Sequence, residues 1–324
     1  MPKGRLALGA VILILLCMLL PLLFSPETLH KTAMPSKPSE IEFIISERTQ
    51  SADDILVWLG GEIVSMPLEE YLVGVVAAEM PAAFLPEALK AQAVAARTYT
   101  MYKTSHGGCS AHAGADICTD STHCQAYLTP QAMAKRWGSD ARVYLDKITD
   151  AVYKTRGEMI YYEGEQIQVF YHASSGGRTE NSENVYSNAL PYLKSVESVG
   201  EESSSNYYGE ATFSLDEFKK RMRAFSKSIC FENTPLIGDL RRFDSGRVSS
   251  IQIGSESFTG REIRGIFGLN SANFSVKVGQ NITFLSVGFG HGVGLSQTGA
   301  NAMAKKGADY KEILTHYFSG VIVQ

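Results

Sequence analysis

The sequence has no block of basic residues. Thirty Lys and Arg stand against thirty-four Asp and Glu, a net charge of -4 over 324 residues, so a nucleic-acid partner is not indicated. No internal repeat is visible, which argues against a repeat architecture. Two nucleotide and hydrolase signatures are also missing. The glycine-rich run GFGHGVGLSQTGA, Gly288 to Ala300, lacks dinucleotide-binding spacing, and no βαβ unit with a later acid follows it. No G-x-S-x-G nucleophile elbow occurs there. Cysteine is scarce, five in the chain. What is present is enough chain for one large domain or two small ones with a real core.

Charge is absent from one long stretch, LALGAVILILLCMLLPLLF, Leu6 to Phe24, preceded by Lys3 and Arg5. Its length suits a single membrane span with the basic residues 1–5 kept in the cytoplasm. Everything after Phe24 is then expected to be extracytoplasmic. A cleaved signal peptide is the rival, but the run is long for its apolar region and SPETLHK offers no small-residue cleavage site. Cys17, inside the run, reads as apolar filler. Residues 25–40, rich in Pro, Ser and Lys, read as a linker. Residues 41–324 form the extracytoplasmic domain.

Within that domain, ILVWL and EIVSM joined by Gly60-Gly61 predict a hairpin. Pro67-Leu68-Glu69-Glu70 predicts a helix start. A second helix runs from Pro86 through EALKAQAVAARTYTMYK, its many alanines allowing close packing against a neighbour. A further helical stretch follows the cysteine-rich loop, and EMIYYEGEQIQVFYHAS predicts a hairpin turning at Gly164. Ser214 caps a helix over SLDEFKKRMRAFSK. Strands VSSIQIG, FSVKV and ITFLSV come next, then helices TGANAMAKKG and ADYKEILTHYF. Helices and strands mix without a βαβ rhythm, which predicts an α+β fold with antiparallel strands, in two lobes.

Glu79 extends the apolar row Leu68, Leu72, Val75 and Val76 at helical spacing. A carboxylate in such company is costly to ionise, which suits a general acid at neutral pH. A helix-end Glu reaching water before Pro81 is the alternative. Arg97, in the alanine-rich helix, can pair with a carboxylate or hold a substrate oxygen, against the commoner case of a solvated helix arginine. HASSGGRTEN, His172 to Asn181, sets Ser174 and Ser175 beside two glycines that let backbone approach a ligand, or simply make a tight turn. His291 and Gln297 belong to the glycine-rich run and suit a binding cleft. The loop HAGADICTDSTHC spaces its ligands H-x5-C-x4-H-C: His112, Cys118, His123 and Cys124, with Cys109 as a possible fifth. Four N and S donors can close around Zn²⁺ in a structural site. A disulfide, Cys118–Cys124 or Cys109–Cys124, is the rival outside the cytoplasm, though it leaves two histidines unexplained.

These stretches resemble the stage II sporulation protein D family of lytic transglycosylases and the related amidase-enhancer proteins. The matching segments are EEYLVGVVAAEMP, EALKAQAVAARTY, FYHASSGGRTENSENV, GREIRGIFGLNSANF and GFGHGVGLSQTGANAMAKKG. They extend from about Pro67 to the C-terminus. The resemblance implies a membrane-anchored enzyme of endospore formers that remodels septal peptidoglycan during engulfment. It implies cleavage between N-acetylmuramic acid and N-acetylglucosamine in glycan strands stripped of stem peptides, leaving 1,6-anhydro ends. The implied partners are a cell-wall amidase and a third membrane protein. The family's catalytic glutamate falls on Glu79 and its zinc ligands on His112, Cys118, His123 and Cys124, leaving Cys109 outside the set. Arg97, Ser174, His291 and Gln297 are the side chains offered for lining the cleft. Many relatives carry cysteine where this chain has Ser175. A zinc hydrolase is disfavoured because four protein ligands leave no open position. A non-catalytic glycan-binding amidase activator stays open.

Overall fold

The computed structural model describes residues 54–324 apart from Ser187. The expected N-terminal tail, the expected anchor at 6–24 and the expected linker at 25–40 lie outside the described residues. Among the described residues no helix is long and apolar enough to cross a membrane.

Helices and mostly antiparallel strands alternate irregularly, an α+β arrangement. Strands Asp54–Leu59 and Glu62–Pro67 pair as the expected hairpin through Gly60-Gly61. They lead into helix α1 (Leu68–Glu79), whose row Leu72, Val75 and Val76 is fully buried. Helix α2 (Pro86–Ser105) is buried on nearly every side. Its alanines at 88, 91, 93, 95 and 96 are all inaccessible. Small side chains let four helices close on it at once: α1, α4 (Ala141–Lys154), α7 (Gln297–Lys305) and α8 (Tyr310–Tyr317). Helix α3 (Pro130–Trp137) precedes α4 and is capped by the Thr129 hydroxyl. The hairpin about Gly164 forms, pairing Ile160–Tyr162 with Glu165–Gln166.

The apolar interior falls into two clusters. The larger one gathers the helices just named with residues from both ends of the chain, from Ile55 to Val321. The smaller one lies within residues 218–284 and is dominated by Phe218, Phe267, Phe274 and Phe284. Its elements are α5 (Leu215–Phe225), α6 (Gly260–Phe267) and two three-stranded antiparallel sheets. Ser214 caps α5 by accepting from Glu217 N–H, as expected. Helix α6 begins at a glycine and is not apparent from periodicity. Its local signal is the capping box Thr259-x-x-Glu262, with both reciprocal hydrogen bonds made.

The chain leaves the larger core after Val196 and returns at Val293. Two loops meet where it returns. Ser174 and Phe289 exchange backbone hydrogen bonds at 3.0 and 2.8 Å. A Cβ at Gly288 would lie 2.8 Å from Ser174 O and Gly176 N. A Cβ at Gly176 would meet Val287 O at 2.9 Å. These glycines therefore serve the packing of one loop on the other, not the approach of a ligand.

Candidate active site

Glu79 is the last residue of α1 and sits where two clefts meet. One cleft, about 390 Å³, runs past Phe84, Arg136, Gln297 and the Ser203–Asn206 loop. The other, about 410 Å³, runs past Tyr99, His123, Tyr171 and His291. Among the described residues lining either cleft, Glu79 is the single carboxylate.

Burial raises the Glu79 carboxyl above the usual carboxylate range, against two hydrogen bonds that favour the anion. Ala126 N–H donates to Oε1 at 2.9 Å. Gln297 Nε2 donates to Oε2 at a long 3.4 Å and to Gln92 Oε1 at 3.3 Å. Gln297 thus lines the cleft beside the carboxylate. It opens α7 after Ser296, whose hydroxyl caps the helix and whose strand, Leu295–Ser296, pairs parallel with Tyr171–His172.

The donor Ala126 follows directly on the cysteine-rich loop, and the next residues hold it on α1. Leu128 N–H donates to Gly74 O at 3.1 Å, and the Tyr127 ring covers Gly74 so closely that a Cβ there would fall 2.1 Å from it. Gln125 bonds Tyr171 Oη at 2.6 Å and Thr100 Oγ1 at 2.9 Å. Gln92, Gln125, Ala126 and Tyr171 have no signature in the sequence. They matter only because the fold brings them to Glu79.

The donors that converge in the loop are Cys109, Cys118, His123 and Cys124, all within 4.8 Å of one another. His123 Nδ1 lies 3.5, 3.5 and 3.2 Å from the three sulfurs, and the Cys124 and Cys109 sulfurs are 3.9 Å apart. Metal–ligand bonds of roughly 2.3 Å to sulfur and 2.0–2.1 Å to nitrogen, set tetrahedrally, place S···S near ~3.8 Å and S···N near ~3.5 Å. The donor set and its spacing therefore fit Zn²⁺ with no position left open. The cysteines are free thiols, so the disulfide alternative is not formed. Ser110 Oγ lies 3.1 Å from the other ring nitrogen of His123, Nε2, a contact that orients the ring.

His112 is not in this cluster, which corrects the expected ligand set. Cys109 takes the fourth place. The reason is the way the chain turns. His112 N–H donates to Cys109 O, Ala115 N–H to His112 O, and Cys109 N–H to Ala115 O, closing a small loop. Cys109 is turned inward, while His112 stacks on Trp58 with ring centroids 4.4 Å apart.

Two cleft candidates are also corrected. Arg97 is buried and lines neither cleft. Its guanidinium pairs bidentately with Glu69 at 2.6 and 3.0 Å and donates to Val152 O and Glu158 O, tying α1 and α2 to the end of α4. Ser174 is buried as well. Its hydroxyl donates to Glu201 Oε2 at 2.5 Å, and that carboxylate also accepts from Ser198, Ser296 and Gly176 N–H. Neighbouring Ala173 lines the cleft instead. Ser175 is likewise inaccessible, 2.9 Å from His172 Nε2.

His291 does line the Glu79 cleft, but as wall. Val293 N–H donates to Nδ1 at 3.1 Å and Nε2 faces Tyr171 O at 3.0 Å, so the ring is the neutral Nε2–H tautomer. Burial, then nearby Arg264, pushes its pKa down to about 4. The ring is therefore neutral imidazole, not imidazolium, near neutrality.

A family description, "Stage II sporulation protein", matches residues 61–162. The chain is 37% identical to stage II sporulation protein D of Bacillus subtilis (strain 168) over 294 residues, 90% of this chain and 84% of that one. It is 40% identical to stage II sporulation protein D of Bacillus amyloliquefaciens over 261 residues, 80% of this chain and 74% of the relative. It is also 28% identical to the amidase enhancer of Bacillus subtilis, covering 39% of that longer protein. With a single half-buried carboxylate lining the two clefts and this similarity along most of its length, the chain belongs to the stage II sporulation protein D family.

Proposed function

We propose that the protein is a lytic transglycosylase of sporulation. It cuts between N-acetylmuramic acid and N-acetylglucosamine in glycan strands and leaves 1,6-anhydro ends. The observation that carries this reading is Glu79: one carboxylate, its pKa raised by burial, at the junction of two clefts of about 390 and 410 Å³. Hydrolytic glycosidases ordinarily use two carboxylates. A transglycosylase needs one. Protonated Glu79 gives its proton to the leaving glycosidic oxygen as positive charge develops on the anomeric carbon. The carboxylate then takes the proton of the muramoyl 6-hydroxyl, which attacks the anomeric carbon of its own sugar. That nucleophile is already tethered, so no second group is needed to activate water. Ala126 N–H and Gln297 steady the carboxylate between the two steps.

In this reading Cys109, Cys118, His123 and Cys124 hold a structural Zn²⁺, and the two apolar cores are lobes on either side of the glycan cleft. When bound, the ion cross-links the loop whose exit residue, Ala126, reaches Glu79. Residues 6–24 anchor the chain in the engulfing septal membrane, with residues 25–324 outside the cytoplasm. A cell-wall amidase that bares the strands and a third membrane protein are its partners. The amidase enhancer among its relatives favours an amidase connection and keeps a non-catalytic, amidase-activating role as the second reading.

Mass spectrometry of purified glycan strands incubated with the full chain in detergent tests the reaction. Anhydro ends are expected. Reducing ends would mean hydrolysis, and intact strands would mean a binding module.

A further inference from the structure

The cleft containing Glu79 continues, past Tyr186 and His291, into a smaller recess of about 170 Å³ between the two cores. Three arginines line that recess: Arg247, Arg261 and Arg264. The one carboxylate lining it, Glu180, is already engaged, by Asn181 N–H and Asn184 Nδ2 at 2.9 Å each and by the Ser245 hydroxyl. Positive charge is thus in excess by two. Among the described residues no carboxylate lies within ion-pair distance of any of the three guanidinium groups.

The three differ in what they do. Arg247 is structural: it is 2% exposed and donates to Ser175 O at 2.8 Å and Arg178 O at 2.9 Å, joining the cores. Arg264 is half-buried on α6 and its Nε alone has a protein acceptor, Leu269 O at 3.3 Å. Arg261, one turn earlier, gives Nη1 to Val185 O at 2.5 Å and lies over the Tyr186 ring at 6.0 Å. Burial, with Arg261 beside it, lowers Arg264 from its ordinary value even against the favourable Tyr186 hydroxyl. A half-buried guanidinium with a like charge beside it on the helix and no counter-ion is unfavourable unless an anion joins it. A planar carboxylate fits the free fork of an arginine.

Resting on the transglycosylase reading, we propose that Arg264, assisted by Arg261, recognises the free lactyl carboxylate of a muramoyl residue bound along the cleft. That carboxylate is the ionised group of a bare muramoyl–glucosaminyl strand. Where a stem peptide is attached, the same carbon is a neutral amide. The recess then becomes a specificity-determining site: it rewards strands from which an amide-cleaving enzyme has removed the peptide.

Binding is measured by calorimetry with the full chain carrying Glu79→Gln, so that turnover plays no part. The probes are a bare muramoyl–glucosaminyl oligomer, the same oligomer with its lactyl carboxylates converted to methyl amides, and one still bearing stem peptides. The bare oligomer is expected to bind about ten- to hundredfold more tightly than the methyl amide, with the advantage shrinking at high salt. Adding Arg264→Gln should remove that advantage, and Arg264→Lys should keep part of it. Arg261 is exposed, so Arg261→Gln provides a variant that leaves the core packing alone; it should reduce the advantage. Equal affinity for bare and methyl-amide oligomers, an advantage that survives Arg264→Gln, or equally tight binding of the peptide-bearing strand would overturn the proposal. A failure of the transglycosylase reading would appear elsewhere, as strands without anhydro ends after incubation with unsubstituted protein.

Discussion

At the residue scale, Glu79 sits where burial makes its ionisation costly. Its helix row places it among buried aliphatic neighbours, and the two clefts leave it partly accessible. For an acid whose folded-state pKa is raised, ionisation is harder in the folded protein than in the unfolded chain. The resulting destabilisation is absent below the unfolded value near pH 4.3 and builds as pH rises through the raised folded value. Glu79→Gln removes the ionisable group while keeping the shape. Cleavage should fall by about 10²–10⁴-fold, the usual contribution of a positioned acid–base group. The melting temperature at pH 7 should rise, and the gain should vanish near pH 4. Strand cleavage followed by mass spectrometry and thermal melts at the two pH values check this. Normal turnover in the variant would remove Glu79 from the mechanism.

The element that matters most to Glu79 is the loop from Cys109 to Leu128. Its first part gathers three thiols and an imidazole; its last part lies along α1 and presents Ala126 N–H to the carboxylate. A loop this short has little internal core, and a bound ion would link its ordering to metal affinity. One equivalent of zinc is expected in protein purified without added metal. Cys109→Ser should lower zinc retention and melting temperature together. His112→Ala should leave zinc in place and lose only its stacking on Trp58. Elemental analysis, with Co²⁺ substitution to read thiolate ligation by absorbance, separates the two variants. Zinc lost from His112→Ala and kept in Cys109→Ser would restore the ligand set that spacing alone suggests.

At the scale of the whole molecule, the two cores are joined by polar contacts built around neutral histidines. His172 is buried between Val293 O at 3.2 Å and Ser175 Oγ at 2.9 Å. Burial, then His291 and Arg247, holds it well below the ordinary imidazole range, and His291 is held at about 4. A depressed folded-state pKa gives stability that is fully present above the unfolded value near 6.5 and is lost as pH falls below it. The urea midpoint should therefore drop between pH 7 and pH 5, and less so in His172→Gln. An unchanged midpoint over that range would mean that the junction does not depend on neutral imidazoles.

Much of the local structure was legible in the residues themselves. The Gly60-Gly61 hairpin, the Ser214 cap, the alanine-rich helix and the apolar row ending in Glu79 follow from short-range sterics, capping and periodicity, which act within a few residues. The residues that resemble the family point to that same carboxylate. What the tertiary structure alone decided is which partners those elements meet. Ala126 and Gln297 reach Glu79 from 47 and 218 positions away. Arg97 finds Glu69 rather than a ligand. Cys109 displaces His112 because a spacing counts residues and does not say which way a loop turns. Periodicity assigns a side chain to a face; only the packing of distant elements assigns that face its neighbours.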